Sequence, residues 1–406
     1  MARVLLLIPS RTYRTHDFME AARALSIDVV VASPHRPALA PLMDGRHLRL
    51  DFEKIDASLD SIVSFASEHP LDAVVAVDDG GTHLASAAGE ALGLPHNPVA
   101  AVEVASNKAL ARAAFRRAGL RTPAFQVVSI DTDPMTLASQ PSYPCVVKPL
   151  DLSGSQGVIR VDDEASLPAV FERAAAIVRS CTGDARSHLL IEDFIPGREV
   201  AVEGLLRGGR LEVLAIFDKP DPLDGPFFEE TIYVTPSRLE GELQRSIEQT
   251  TASATAALGL VEGPIHAELR LSDSEMTVLE VAPRSIGGLC ARTLRFGAGT
   301  SLEELILRHA AGLRMPEHQL EAGAAGVMML PIRKAGILEA VNGREAARRV
   351  PEIEDLVLTI APGERLVPLP EGDRYLGFLF ARGREPSTVE AALRDAYSRL
   401  SVVIDD

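Results

Sequence analysis

His266-Ala267-Glu268, followed twelve residues later by Glu280-Val281-Ala282-Pro283-Arg284, sets the firmest limit on how this chain can fold. Pro264 to Leu271 and Glu275 to Val281 read as strands, and Ser272-Asp273-Ser274 between them predicts an antiparallel hairpin. Such a hairpin puts Glu268 and Glu280 side by side on one face. Paired carboxylates on a rigid sheet suit Mg²⁺, which takes oxygen ligands and shares them with substrate phosphates. Arg284 would stand beside them as a fixed cation, where negative charge develops in phosphoryl or acyl transfer. A solvated hairpin with two incidental glutamates is the plain alternative, and the arginine weighs against it. His266 faces the same side as Glu268. It either positions an acyl oxyanion or packs as an ordinary hydrogen-bonded histidine.

Upstream, Tyr143-Pro144-Cys145-Val146-Val147-Lys148-Pro149 is a short apolar strand ending in a lysine. Ser153-Gly154-Ser155-Gln156-Gly157 follows, and then a second strand, Val158 to Val161. Glycines let backbone N–H groups close on phosphate oxygens, and serine hydroxyls add donors. The loop has no Gly-Lys-Ser/Thr and no helix follows at once, so it is not a Walker loop. Strand, loop and strand predict a flexible flap over a nucleotide, although alone such a loop would pass for a hairpin turn. Ser106-Asn107-Lys108 opens an amphipathic helix, Lys108 to Gly119, and brings a second lysine. Leu189 to Gly204 reads as strand, turn, strand. There, backbone groups of Asp193, Phe194 and Ile195 can hold an adenine, and a carboxylate such as Glu199 a ribose.

At 406 residues the chain is long for one core and comfortable for several subdomains. Its net charge of −16 argues against nucleic acid or an anionic membrane as partner, because no basic field exists to release counterions. The phosphates of a nucleotide must then meet a local cluster of Lys, Arg and metal. Cys145, Cys181 and Cys290 have no CxxC spacing, which fits reduced thiols in a cytoplasmic protein. Cys145 is expected as a small core residue. Val4 to Pro9 is apolar but only a strand long, and is expected to be neither signal peptide nor membrane span.

Residues 1–96 alternate strand (Val4 to Pro9, Asp28 to Ala32, Ala73 to Val77) with helix (Thr15 to Leu25, Thr82 to Leu92), which predicts a Rossmann-like α/β domain with a parallel sheet. Ligands of such sheets sit beyond the strands' carboxyl ends, here at Pro9-Ser10-Arg11 and Asp78-Asp79-Gly80-Gly81. No GxGxxG follows the first strand, so no dinucleotide is indicated. Asp78 and Asp79 either meet a substrate amino group or cap the helix from Thr82. Residues 97–318 form a nucleotide-binding body in which 123–190 make a small lobe with a helix from Ser166 to Ser180. The loop Lys219 to Thr231 is too polar and proline-rich for core, and its Phe227-Phe228-Glu229-Glu230 either contacts substrate or packs locally. Ser285-Ile286-Gly287-Gly288 offers backbone N–H groups as a cradle for a carboxylate or acyl-phosphate. Gly288 is also expected to leave pocket volume that a larger side chain would fill. Arg295 and His309 are expected to be structural. Residues 319–406 read as a small α+β cap, with strands at Ala324 to Pro331 and Tyr375 to Ala381 and a helix from Thr388 to Leu400.

Lys108, Lys148, the glycine loop, the Glu192-to-Glu199 hinge, Glu268 and Glu280-x-x-Pro283-Arg284, in this order, resemble the ATP-grasp superfamily of carboxylate–amine ligases. Gly263-x-x-His266-x-Glu268, Phe217-Asp218-Lys219-Pro220 and the tail segments Ala324 to Lys334 and Tyr375 to Arg382 are similar to its L-amino-acid ligase branch, which joins amino acids into dipeptides. The resemblance implies an ATP-grasp fold of α/β and α+β parts, with 123–190 as a mobile lid. It also implies ATP and Mg²⁺ as cofactors, two ions being expected and Mn²⁺ an acceptable substitute. Lys108 and Lys148 would bind the α- and β-phosphates. Ser153, Gly154, Ser155, Gln156 and Gly157 would cover the γ-phosphate, and Glu192 with Asp193, Phe194 and Ile195 would hold adenine. Glu268 and Glu280 would ligate the metal. Arg284, with His266 and the Gly287-Gly288 turn, would stabilise an acyl-phosphate and its tetrahedral successor. Many relatives read Glu-x-Asn-Pro-Arg, the asparagine being a further ligand. Here that position is Ala282, and a water is expected in its place.

These features predict an ATP-dependent, ADP-forming ligase that joins two amino acids through an acyl-phosphate. Its partners would be a small carboxylate and a small amine, with a homodimer compatible. Two alternatives stay open: a ligase for a non-amino-acid carboxylate or amine in a biosynthetic pathway, and a non-catalytic ATP-binding protein, which only Ala282 favours.

Overall fold

The computed structural model describes residues 1–35, 46–182, 187–272, 275–316 and 319–405. At the amino end, four parallel strands lie in the order His47–Arg49, Asp28–Ser33, Arg3–Leu7, Ala73–Ala76. The central strand is buried on both faces. Val4 and Leu6 enter a core shared with the rest of the molecule, while Leu5 and Leu7 pack under the unit's own helices. That alternation is what a parallel strand covered on both sides requires. The helix Thr82–Leu92 stops at Gly93, whose φ of 65° closes the last turn in the left-handed region. The strand His47–Arg49 and the helix Ile55–Glu68 were not singled out in the sequence; three residues are too few to show a period.

A second sheet has eight strands in the order Met276–Ala282, Gly263–Leu271, Arg198–Arg207, Arg210–Asp218, Ile232–Thr235, Ala324–Leu330, Gly377–Gly383, Ile353–Leu358. The tail therefore supplies three strands of the sheet that holds the carboxylate hairpin, and the boundary expected at 318 separates segments that share one sheet. The tail also has a smaller three-stranded sheet and the helix Pro386–Ser398, which lays Val389, Ala392, Leu393 and Ala396 on the large sheet. The small lobe is a four-stranded sheet, Phe125–Ser129, His188–Asp193, Cys145–Pro149, Ile159–Val161, under the helix Leu167–Thr182.

Three arginines fix the amino-terminal unit to the segment after the hairpin. Arg14, 1% exposed, pairs with Glu303 at 2.9 Å and donates to the Ser285 hydroxyl at 2.7 Å. Arg292 holds Asp17 through two bonds of 2.8 Å, and Arg284 holds Asp79. Among the described residues no helix is long and apolar enough to cross a membrane.

Candidate active site

The hairpin forms in the expected register. In the antiparallel pair of Gly263–Leu271 and Met276–Ala282, Glu268 stands opposite Glu280 and His266 opposite Ala282. Asp273 and Ser274 of its turn lie outside the described residues. On its other side, Gly263–Leu271 pairs with Arg198–Arg207, matching His266 to Glu203, Glu268 to Ala201 and Arg270 to Glu199. Because side chains alternate with a period of two, His266, Glu268 and Arg270 share one face, and so do Glu199 and Glu203. One face of three neighbouring strands thus carries a ladder of charges.

Each rung has its own chemistry. Glu203, fully buried, accepts from His266 Nδ1 through one oxygen and from the Ile286 amide at 3.1 Å through the other. Burial opposes an imidazolium, but Glu203 and then Glu268 outweigh it, and His266 is pushed up to about 9. His266 Nε2 lies 3.6 Å from Glu268. Lys219 Nζ sits among three carboxylates, at 2.7 Å from Glu199, 2.6 Å from Glu230 and 2.7 Å from Glu268. Burial works against ionisation of Glu268, yet Lys219 and His266 hold its carboxyl well below the usual range. Arg270 takes the other oxygen of Glu199 at 2.9 Å.

The two lysines expected for phosphates come together from different elements. Asn107 caps its helix by accepting from the amides of Ala109 and Leu110, which fixes Lys108 at the first position. The Lys108 amide donates to Leu150 O and its Nζ to Leu152 O at 2.7 Å, with Glu280 at 3.8 Å. Lys148 is buried against Glu192, whose second oxygen takes Arg112 Nε at 3.0 Å. Burial pushes the Lys148 ammonium down, partly offset by Glu192. Glu192 stays ionised below its ordinary range because Arg112 and Lys148 overcome its burial.

A cavity of about 1290 Å³ joins these groups. Its walls come from Pro9–Tyr13 and Asp78–Gly80 of the amino-terminal unit, the small lobe, the charged sheet face, residues 282–288 and the tail around 359–375. Lys108, Lys148, Ser153, Gly154, Ser155, Gln156, Glu192, Asp193, Phe194, Ile195, Glu199, His266, Glu268, Glu280, Arg284, Gly287 and Gly288 all line it. Gly157 does not. Its φ is 73° and a Cβ there would meet Pro149 at 2.8 Å, so it serves the lobe's interior. Its amide and the Gln156 side chain reach Pro370 and Glu371 of the tail.

Other placements refine the expectations. The amides of Asp193 and Phe194 are already bonded to Ala124 and Pro144, so among the described residues the Ile195 amide is the one of the three without a backbone partner. Both oxygens of Glu199 accept bonds, so a ribose hydroxyl would have to share one. At Gly288 a Cβ would run into the Phe378 ring at 2.9 Å; the space that this glycine spares belongs to Phe378 and not to the pocket. Gly287 is the open position, with nothing within 4 Å of a Cβ. Asp78 caps the short turn Asp79–Gly81 and accepts from Thr12, while Asp79 takes Arg284 Nε at 2.8 Å. Cys145 is buried as expected, its thiol pushed up to about 12.

Hard carboxylate oxygens on Glu268 and Glu280, in register and ringed by cations, are the donor set that Mg²⁺ takes. Ala282 offers no third side-chain oxygen there.

Comparison with known proteins agrees with this layout. Residues 19–96 match the ATP-grasp N-terminal domain, 141–293 the ATP-grasp domain, and 328–405 the L-amino acid ligase C-terminal domain 2. An alanine–anticapsin ligase of Bacillus amyloliquefaciens is 26% identical over 266 residues, 61% of this chain and 56% of that protein. The match thus spans little more than half of that relative. A D-alanine–D-alanine ligase of Cupriavidus pinatubonensis is 26% identical over 243 residues, 57% of this chain and 72% of that protein. The crystal structure of an L-amino acid ligase from Bacillus licheniformis superposes with a TM-score of 0.83 at 26% identity, covering 100% of this chain and 99% of that one. Three matched regions that close around one cavity, with the carboxylate hairpin at its floor, make this chain a member of the ATP-grasp superfamily.

Proposed function

We propose that this protein is an ATP-dependent, ADP-forming carboxylate–amine ligase that joins one amino acid to another. The observation that carries the reading is the facing pair Glu268 and Glu280, with Lys108, Lys148 and Arg284 on the wall of the same cavity. The γ-phosphate passes to the substrate carboxylate, the amine attacks the acyl-phosphate, and phosphate leaves. Mg²⁺, when bound at Glu268 and Glu280, supplies charge neutralisation to the phosphates. Lys108 and Lys148 orient the α- and β-phosphates, and the 153–156 loop closes over the γ-phosphate. Arg284, held by Asp79, faces the charge that develops on the acyl oxygen. His266, held as imidazolium by Glu203, and the Gly287-Gly288 turn sit beside that oxygen.

The acyl-phosphate must be kept from water, and the lobe 123–190 is the lid that does so. In this reading residues 1–96, 97–318 and 319–406 divide the labour among substrate, nucleotide and pocket wall. The amino-acid assignment draws on the names of the relatives and on the tail that matches the L-amino acid ligase domain.

The test is phosphate and ADP release with Mg-ATP against amino acids singly and in pairs, with products read by mass spectrometry. Release that needs two amino acids, and a product one water lighter than their sum, is the expected result. Release with other carboxylates or amines alone would move the assignment to a different substrate class. ATP binding without turnover on any pair would leave a binding protein. Glu280→Gln and Arg284→Ala are expected to abolish turnover with the fold intact.

A further inference from the structure

The small lobe has an apolar core of its own, joined from outside by Phe227. Its place over the cavity is therefore set at its rim, and there a turn of the tail, residues 368–373, reaches it at three points. The Arg173 guanidinium, on the lobe's helix, grips both oxygens of Glu371, Nε to Oε1 at 2.7 Å and Nη2 to Oε2 at 3.0 Å. Gln156 Nε2 donates to the Glu371 carbonyl at 2.8 Å, and the Gly157 amide to the Pro370 carbonyl at 2.9 Å. The last two bonds fall on the glycine loop itself.

The turn is built to present these groups. The Gly372 amide closes it onto the Pro368 carbonyl at 2.9 Å, and a Cβ at Gly372 would meet the Val367 carbonyl oxygen at 2.0 Å. Asp373, two residues beyond Glu371, lies 3.4 Å from Arg11, so the same turn also touches the amino-terminal unit. The side chains of Arg173 and Glu371 are 46% and 43% exposed, and an exposed pair adds little to the stability of a fold. What a two-pronged guanidinium–carboxylate contact does supply is a fixed geometry between the parts it joins. Neither residue lines the cavity.

We propose that Arg173 and Glu371 latch the lid: the tail turn clasps the lid helix and so holds Gln156 and Gly157, and with them the glycine loop, in place over the γ-phosphate. Both are positioning residues. What the latch protects rests on the ligase reading above. Water that reaches an acyl-phosphate returns the free carboxylate and inorganic phosphate, so ATP is consumed to ADP and phosphate and no amide forms. The latch thus ties ATP consumption to ligation.

The experiment follows hydrogen–deuterium exchange of the peptide carrying residues 153–157, with a non-hydrolysable ATP analogue and Mg²⁺ at saturation. Wild type, Arg173→Glu, Glu371→Arg and the double variant with the charges exchanged are compared. Arg179→Gln is the control, since Arg179 lies on the same helix but pairs inside the lobe with Asp131. Each single reversal removes an attraction and sets like charges face to face, so exchange should quicken by about 3- to 10-fold. The double variant and the control should exchange at about the wild-type rate, and calorimetric titration with the analogue should show the nucleotide bound in all five proteins. With substrates that the wild type ligates, the single variants should release more phosphate per product formed, and the double variant should restore the ratio. Single variants that exchange as slowly as wild type overturn the proposal. So does a double variant as fast as the singles, because pairing would then not be the cause. Exchange needs no amino acid, so the latch stands or falls apart from the ligase reading, which wild-type turnover tests.

Discussion

Arg284 donates from Nε to Asp79 Oδ1 at 2.8 Å across 205 residues, so the amino-terminal unit holds the guanidinium proposed to face the reacting oxygen. Burial opposes ionisation of Asp79, but Arg284 outweighs it and keeps the carboxyl below its ordinary range. Asp79→Asn should preserve the shape and loosen the aim of Arg284. A fall in kcat of about 10- to 100-fold with little change in the KM for ATP is expected from steady-state kinetics. Wild-type kcat in this variant would mean that the Ser285 carbonyl, which accepts from Arg284 Nη1 at 3.0 Å, orients the arginine alone.

Ala282 lies two residues from Glu280, hence on the same strand face, and opposite His266. Ala282→Asn adds an amide oxygen beside the carboxylate pair. Chelation by EDTA should abolish turnover in both proteins, and titrating Mg²⁺ back should restore the variant at a several-fold lower concentration. An unchanged Mg²⁺ requirement would show that a water already completes the coordination.

Arg112 is 1% exposed and holds both Glu192 and the Leu279 carbonyl. Arg112→Met leaves Lys148 and Glu192 as a buried pair with one carboxylate oxygen unmet. Breaking a buried ionic network commonly costs about 3–5 kcal/mol. The urea midpoint should fall accordingly, and ATP binding should weaken even at temperatures where the variant is folded.

His266 and Glu203 predict a pH signature in the metal-free protein. The folded value of His266, about 9, lies above its ordinary 6.5. The pair therefore contributes its stability in full below pH 6.5 and loses it as the pH rises through about 9. The amount is on the order of 3 kcal/mol. Thermal midpoints measured in EDTA from pH 6 to about 10 should fall for wild type, and the part of the fall due to this pair should vanish in Glu203→Gln.

The hairpin was legible because its pattern is local: strand, turn and strand fix which residues face each other. The lysines, the glycine loop and the hinge could likewise be read from short segments, and so could the parallel unit. Arg270 escaped notice, and Glu203 entered only as part of the strand, turn and strand from Leu189 to Gly204. Their roles depend on Arg198–Arg207 lying beside Gly263–Leu271, a pairing that no local signal announces. Lys219 was visible as part of a motif, but its place among three carboxylates needs the same long-range pairing. The Gly288 expectation went astray for a similar reason, since Phe378 arrives from the tail. Period-two acidic positions at Glu199 and Glu203, read against His266, Glu268 and Arg270, were the available hint.

The strand Ala324–Leu330 lies between Ile232–Thr235 and Gly377–Gly383 inside the eight-stranded sheet. Grafting the tail of a relative onto this chain would therefore replace three sheet strands at once, including one hydrogen-bonded to the Glu230 loop. The tail is thus no separable module: any change to its strands is felt in the same sheet that carries Glu268 and Glu280.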